Sequence, residues 1–260
     1  MTSLIESLCI GKFITVKIDS LVQGGEGLAK IDNFAIFIPQ GIPGDEVEVR
    51  IISLKPNYAR ALIVRIITPS EDRVTPPCPV TDECGGCQWQ EIKYEKQLES
   101  KEKNLIDNFV RIAGIPAEKL ESNHNKIIGM ETPFYYRNKS QFPFAKINGQ
   151  IKGGFYKPRS HDIVEFEKCY IQSEKINSVF RLVRDLLKKY DIPIYDERTR
   201  KGFFRHLIVR HSFTTNQILI GFVTANAKFP EIHHIIGDIT DAIPETVGIV
   251  QNINNDNTNV

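Results

Sequence analysis

A small β-barrel of the oligonucleotide-binding (OB) type followed by an α+β domain is the fold class that this sequence predicts. Three observations carry it. Five short strand patterns crowd into residues 11–68, a density that suits a small barrel. Two amphipathic helical patterns then alternate with short strand patterns over the rest of the chain. At about 150 residues per domain, 260 residues allow two domains.

The barrel strands can be justified in order. Residues 13–18 alternate apolar and polar, and the glycine-rich stretch 23–27 turns the chain into a second strand over 28–31. Asp32-Asn33 makes a tight hairpin turn into residues 34–38. Pro43-Gly44-Asp45 breaks the chain, residues 46–51 alternate cleanly, and residues 59–67 follow Pro56-Asn57 as the last strand. The turn at Gly24-Gly25-Glu26-Gly27 serves either as a plain β-turn or as a cradle of N–H groups for a phosphate. Residues 68–73 read as a linker.

After Trp89 the pattern becomes helical, with Leu98, Leu105, Phe109 and Ile112 on one face and Gly114 and Pro116 as the stop. Strands are expected at 135–142, 152–156 and 163–166. A second helix is expected over 173–190, capped by Ser173, with Ile176, Val179, Phe180, Val183, Leu186, Leu187 and Tyr190 on its apolar face. Strands around Leu207 and Val209 and over 217–224, a short helix at 230–239 and a last strand candidate at 246–253 complete the pattern. The tail 254–260 is too polar to join a core. The domain boundaries that follow are 1–68 for the barrel, 69–245 for the central domain and 246–260 for the start of a linker.

Composition bounds the function. With 41% hydrophobic and 25% charged residues the chain can build real cores, so a disordered tail protein is excluded. A net charge of +1 means that any nucleic-acid contact must come from local patches. Residues 1–6 lack the pattern of a signal peptide, and no apolar run reaches the roughly 20 residues of a membrane span, so a cytoplasmic, membrane-free protein is expected.

The segment C-P-V-T-D-E-C-G-G-C-Q-W, residues 78–89, holds Cys78, Cys84 and Cys87, three of the five cysteines. Gly85 and Gly86 let the C-x-x-C backbone turn around a bound ion. Thiolates clustered in this way suit zinc or an iron–sulfur cluster, with a fourth ligand from elsewhere in the chain, against the alternatives of a disulfide or three plain thiols. Cys169, just past a strand end, and Cys9 are the remaining cysteines.

Taken together, the barrel with G-G-E-G-L-A-K-I-D, then P-G-D-E-V, the cysteine segment R-V-T-P-P-C-P-V-T-D-E-C-G-G-C-Q-W-Q, Y-R-N-K and R-H-L-I-V-R closely resemble the N-terminal part of the bacterial RNA uracil-5 methyltransferases, which modify uridines of 23S rRNA or tRNA. The resemblance implies a TRAM domain at the start, a central domain carrying a [4Fe-4S] cluster on Cys78, Cys84, Cys87 and Cys169, RNA as the partner and a monomeric protein. It also implies a Rossmann-like methyltransferase domain that binds S-adenosylmethionine and supplies the catalytic cysteine. Nothing of that domain is visible up to Val260. The expectation is therefore of a chain with the methyltransferase domain missing and no catalytic residue of its own. It would be the RNA-recognition and cluster-binding portion of the enzyme, inactive alone. A stand-alone RNA-binding module with a structural cluster and an iron–sulfur redox protein are the alternatives.

The residues themselves suggest the RNA contacts. Arg198, Arg200, Lys201, Arg205, His206 and Arg210 surround Phe203 and Phe204, which suits phosphate contacts with base stacking, unless the two phenylalanines are core. Arg137 and Lys139 share one strand face, and Lys55 and Arg60 sit at a barrel turn. His233 and His234 carry no ligand spacing and read as surface helix residues.

Overall fold

The computed structural model describes residues 7–229 and 231–256. They form two compact units. The first takes the described residues up to Pro77 together with Cys87–Glu131, and the second takes Cys78–Gly86 and the described residues from Thr132 onwards. The cysteine loop 78–86 is thus counted with the second unit, and the chain crosses twice within fifteen residues of sequence around it.

In the first unit, β1 (Phe13–Lys17), β2 (Ser20–Leu21), β3 (Gly27–Ile31), β4 (Phe34–Ile38), β5 (Glu46–Leu54) and β6 (Tyr58–Thr68) make one six-stranded sheet in the order β1-β5-β6-β4-β3-β2. Only β4 and β6 run parallel. The period of two does the sorting: Ile14 and Val16 of β1 and Val47, Val49 and Ile51 of β5 point inward with Ala29, Ile36, Ile38, Ala59 and Ala61. One sheet whose single face buries its own residues must curl on itself. The Asp32-Asn33 turn forms as expected, both residues with positive φ and Ile31 paired with Phe34 across it.

Residues 68–73 are not a loose linker. Asp45 is fully buried, and its carboxylate accepts the backbone N–H groups of Ile42 and Ser70 at 2.9 and 2.8 Å and pairs with Arg73 at 2.6 Å. Arg73 reaches on to Glu91 and to the carbonyl of Gln40. These bonds fasten the chain after β6 to the turn before β5. The helix α1 (Tyr94–Arg111) follows and stops before Gly114, which takes φ +67. Its predicted apolar face exists but stays open: no residue of α1 is buried, and Ile112 just beyond it is 81% exposed. A short α2 (Ala117–Asn123) starts behind Pro116.

The second unit is built on β7 (Lys139–Ile147), β8 (Gln150–Tyr156), β9 (Ile163–Glu165), β10 (Phe204–His211), β11 (Ile218–Thr224) and β12 (Thr246–Ile253), in the sheet order β12-β11-β10-β7-β8-β9. The helices α3 (Glu174–Lys189) and α4 (Ile232–Ala242) complete it. Strand β7 runs five residues beyond the expected end at Phe142, straight through Pro143. Proline is tolerated there because β7 pairs with β10 up to Pro143 and with β8 from Phe144 on, so the missing N–H falls where the partner changes. Ser173 caps α3 by accepting the N–H of Ile176, and Ile176, Val179, Phe180, Val183 and Leu187 are buried against Phe142, Phe144 and Phe204. The rings of Phe142 and Phe180 stack with centroids 4.4 Å apart. Residues 246–253 are a strand: β12 runs parallel to β11 after the crossover through α4. Pro230 and residues 257–260 of the expected helix and tail, and residues 1–6, lie outside the described residues.

Candidate functional site

The cysteine segment is tightly folded within each unit. In the second, the N–H of Cys84 donates to the carbonyl of Val80 and that of Gly85 to Tyr156 of β8. A Cβ on Gly85 would lie 3.0 Å from the Tyr156 carbonyl oxygen, a tight contact that a larger residue would press against β8. Cys169 is bracketed by Asn177 of α3: its N–H donates to Oδ1 at 2.9 Å, and its carbonyl accepts from Nδ2 at 3.1 Å. Asn177 is fully buried and also accepts from Gln172, which in turn accepts from Ser140. Sequence reading missed this network, although a polar residue beside the apolar stripe of α3 was its signal. In the first unit, Gln90 donates to the Cys87 sulfur at 3.1 Å, and Trp89 packs on Leu21, Ile42 and Ile92. Trp89 also explains the glycine-rich turn: a Cβ on Gly25, at φ +91, would lie 2.7 Å from the indole nitrogen. That turn makes room for a tryptophan.

Among the described residues no group of three or more His, Cys, Asp or Glu is placed to hold a metal ion. The four half-buried thiols have the donor chemistry of a soft-metal site. Cys9 is exposed.

The basic residues separate into distinct settings. Phe203 and Phe204 are core, so they offer no stacking surface. Arg205 is 3% exposed, and its guanidinium donates to the carbonyls of Asn254 and Asp256 at 2.8 Å each; it is not a surface phosphate contact. His206 is also buried, and burial with the nearby charge of Arg205 pushes its pKa down to about 4. Arg198, Arg205 and His206 line one cavity. Arg200 and Lys201 are exposed at a tight turn in which Arg200 takes φ +57 and its N–H donates to the Asp196 carbonyl. One juxtaposition is not readable from the sequence: Lys139 and Arg210 face each other on β7 and β10. Arg137, two residues before Lys139, is half-buried and pairs through its backbone with residues 171–173. In the first unit, Lys55 is exposed, and Arg60 is held by Glu26 at 2.5 Å and lies over the Phe37 ring.

A curled sheet of this topology at the start of the chain defines a class, and comparison bears that out: residues 7–64 match the TRAM domain. The chain is 43% identical over 236 residues to a protein of Clostridium tetani named an uncharacterized RNA methyltransferase, covering 91% of this chain and 50% of that protein. It is 42% identical over 241 residues to one of Staphylococcus aureus with the same description, covering 92% and 52%. Its fold resembles that of the Pyrococcus abyssi tRNA (uracil-54, C5)-methyltransferase, solved with S-adenosyl-L-homocysteine, at a TM-score of 0.65 and 19% identity, over 94% of this chain and 52% of that one. The chain spans about half the length of the curated relatives it matches.

These matches correct the reading of the chain as a portion set apart from its enzyme. Nearly all of it aligns with proteins named RNA methyltransferases and superposes on a methyltransferase chain. The expectations of a missing methyltransferase domain, of an RNA-recognition and cluster portion only, and of inactivity alone are withdrawn on that finding. No helix among the described residues is long and apolar enough to cross a membrane.

Proposed function

We propose that this chain works in an RNA methyltransferase that transfers a methyl group from S-adenosylmethionine to C5 of a uridine in tRNA or 23S rRNA. The observation that carries the reading is the TRAM match at residues 7–64 joined to 43% identity over 236 residues with a protein named an RNA methyltransferase. When bound, S-adenosylmethionine supplies the methyl group. The part assigned to these residues is to hold RNA. Lys139 opposite Arg210 is a like-charge pair that costs stability unless an anion lies across it, and a phosphate is such an anion. Arg200 and Lys201 at their exposed turn, with Arg137, Lys55 and Arg60, are the further candidates for the RNA backbone. A cytoplasmic, monomeric protein goes with this reading.

Deleting the gene and mapping 5-methyluridine in total tRNA and 23S rRNA by mass spectrometry tests it. One modified uridine is expected to lose its methyl group. An unchanged set of 5-methyluridines would overturn the assignment.

A second element of the proposal is that Cys78, Cys84, Cys87 and Cys169 become the ligands of an iron–sulfur cluster when iron is supplied. The support is the four thiols and the bracket of Asn177 around Cys169. Protein purified without oxygen should hold iron and sulfide, and Cys84→Ser should lose both. Stoichiometric zinc, or iron retained in the variant, would contradict it.

A further inference from the structure

A cavity of about 530 Å³ lies in the second unit, lined by β7, β8, residues 157–163 and residues 195–206. Its size is that of sites that enclose a small ligand. Phe144, Tyr156 and Tyr195 supply aromatic wall. Tyr195 is held against the guanidinium of Arg205 at 4.4 Å, and that guanidinium is itself anchored on backbone carbonyls, so the ring is a fixed surface. Two of the three wall carboxylates are already engaged: Asp196 accepts the backbone N–H groups of Arg198 and Thr199, and Glu197 pairs with His161 at 3.1 Å. Asp162 lies in the field of Lys157, which pairs with Glu83 at 2.9 Å. Lys146 and Arg198 are exposed at the rim.

His206 is the exception in this wall. It is 5% exposed, and neither ring nitrogen has a hydrogen-bond partner. A buried polar group left unpaired costs stability, which a phenylalanine or leucine at this position would avoid. The imidazole is neutral at pH 7, because burial and Arg205 oppose its protonation. It therefore offers one donor and one acceptor, the combination that the edge of a nucleobase also presents. The aromatic wall has no role for a bare phosphate.

The geometry points to the cavity as the seat of one unpaired base of the substrate RNA, stacked on Tyr195, hydrogen-bonded to His206, with its flanking phosphates on Lys146 and Arg198. Both ring nitrogens are buried, so the hydrogen bond to the base requires the imidazole to turn. This inference rests on the reading of the chain as part of an RNA methyltransferase, and the test separates the two.

Fluorescence anisotropy with a single-stranded RNA of mixed sequence, about 12 nucleotides long, reads affinity and its salt dependence. His206→Phe is expected to weaken binding about tenfold without changing the salt slope, because a base contact and no phosphate contact is lost. Its melting temperature should stay equal or rise, since an unpaired polar group has been removed. Lys146→Ala with Arg198→Ala should weaken binding and lower the slope by between about one and two units. Wild-type affinity in both His206→Phe and the rim double variant would make His206 a core residue and overturn the pocket, while RNA binding by the wild type would leave the proposed function standing. No RNA binding by the wild type would overturn both. Should His206→Phe fail to fold, the rim variant decides alone: unchanged affinity there overturns the inference.

Discussion

Asp45 and His206 are both buried polar residues, one in each unit, and their surroundings treat them in opposite ways. Asp45 accepts two backbone N–H groups and an arginine that is itself paired again with Glu91. His206 has no partner at either nitrogen. A satisfied buried charge fixes a structure, here the path of the chain after β6, whereas an unsatisfied buried group marks a place where something else sets the composition. The first kind of residue should respond to substitution in stability and not in RNA affinity. The second should respond in the reverse order.

The largest expected effect comes from breaking the satisfied network. Asp45→Ala leaves Arg73 partly buried without its main partner and two backbone N–H groups without an acceptor, and should destabilise the first unit by about 3–5 kcal/mol. Chemical denaturation with Trp89, the sole tryptophan and a neighbour of this region, reads the loss. A change below about 1 kcal/mol would show that the network is dispensable.

Acid should act on the second unit. The folded state holds the His206 pKa at about 4, below the unfolded value of about 6.5, so the unfolded chain binds the extra proton between those values. The contribution to stability is complete above about pH 6.5 and falls by as much as about 3 kcal/mol as pH drops to 4. The carboxylates of Glu167 and Glu245, held below their usual range chiefly by Arg184 and Lys175, lose their contribution only further down. Denaturation midpoints between pH 7 and 4.5 should therefore fall in the wild type and stay nearly level in His206→Phe. Equal falls would show that His206 titrates normally.

The smallest effect concerns Lys139 and Arg210. Separating this like-charge pair with Lys139→Gln should leave stability unchanged or raise it by a few tenths of a kcal/mol, and should lower the salt slope of RNA binding by about one unit. A stability loss with an unchanged slope would assign the pair to the fold.

Much of the fold was legible because local rules were obeyed. The alternation in β1 and β5, the Asp32-Asn33 turn and the Ser173 cap of α3 each report a short-range cause. What stayed hidden depends on partners distant in sequence. Pro143 argues against a long strand until the change of partner from β10 to β8 is known. The apolar stripe of α1 announces amphipathicity, yet burial is decided by what packs on it, and Leu105 and Phe109 stay exposed. Phe203 and Phe204 sit among basic residues in the sequence and among apolar ones in space. The candidate cavity draws on residues from 144 to 206, so neither Tyr195 nor His206 could be joined to Phe144 by spacing alone. The cysteine loop was the clearest motif in the sequence, and its assignment to the second unit, apart from the residues that flank it, was not readable from it.

The central claim is that this chain serves uridine methylation by holding RNA, and one complementation experiment tests it most directly. A strain lacking the gene is given back the wild-type or the His206→Phe copy, and 5-methyluridine is quantified at the affected position. The wild-type copy should restore the modification fully, and the His206→Phe copy should restore it more slowly at equal protein level. A deletion strain that keeps every 5-methyluridine before any copy is returned would contradict the account.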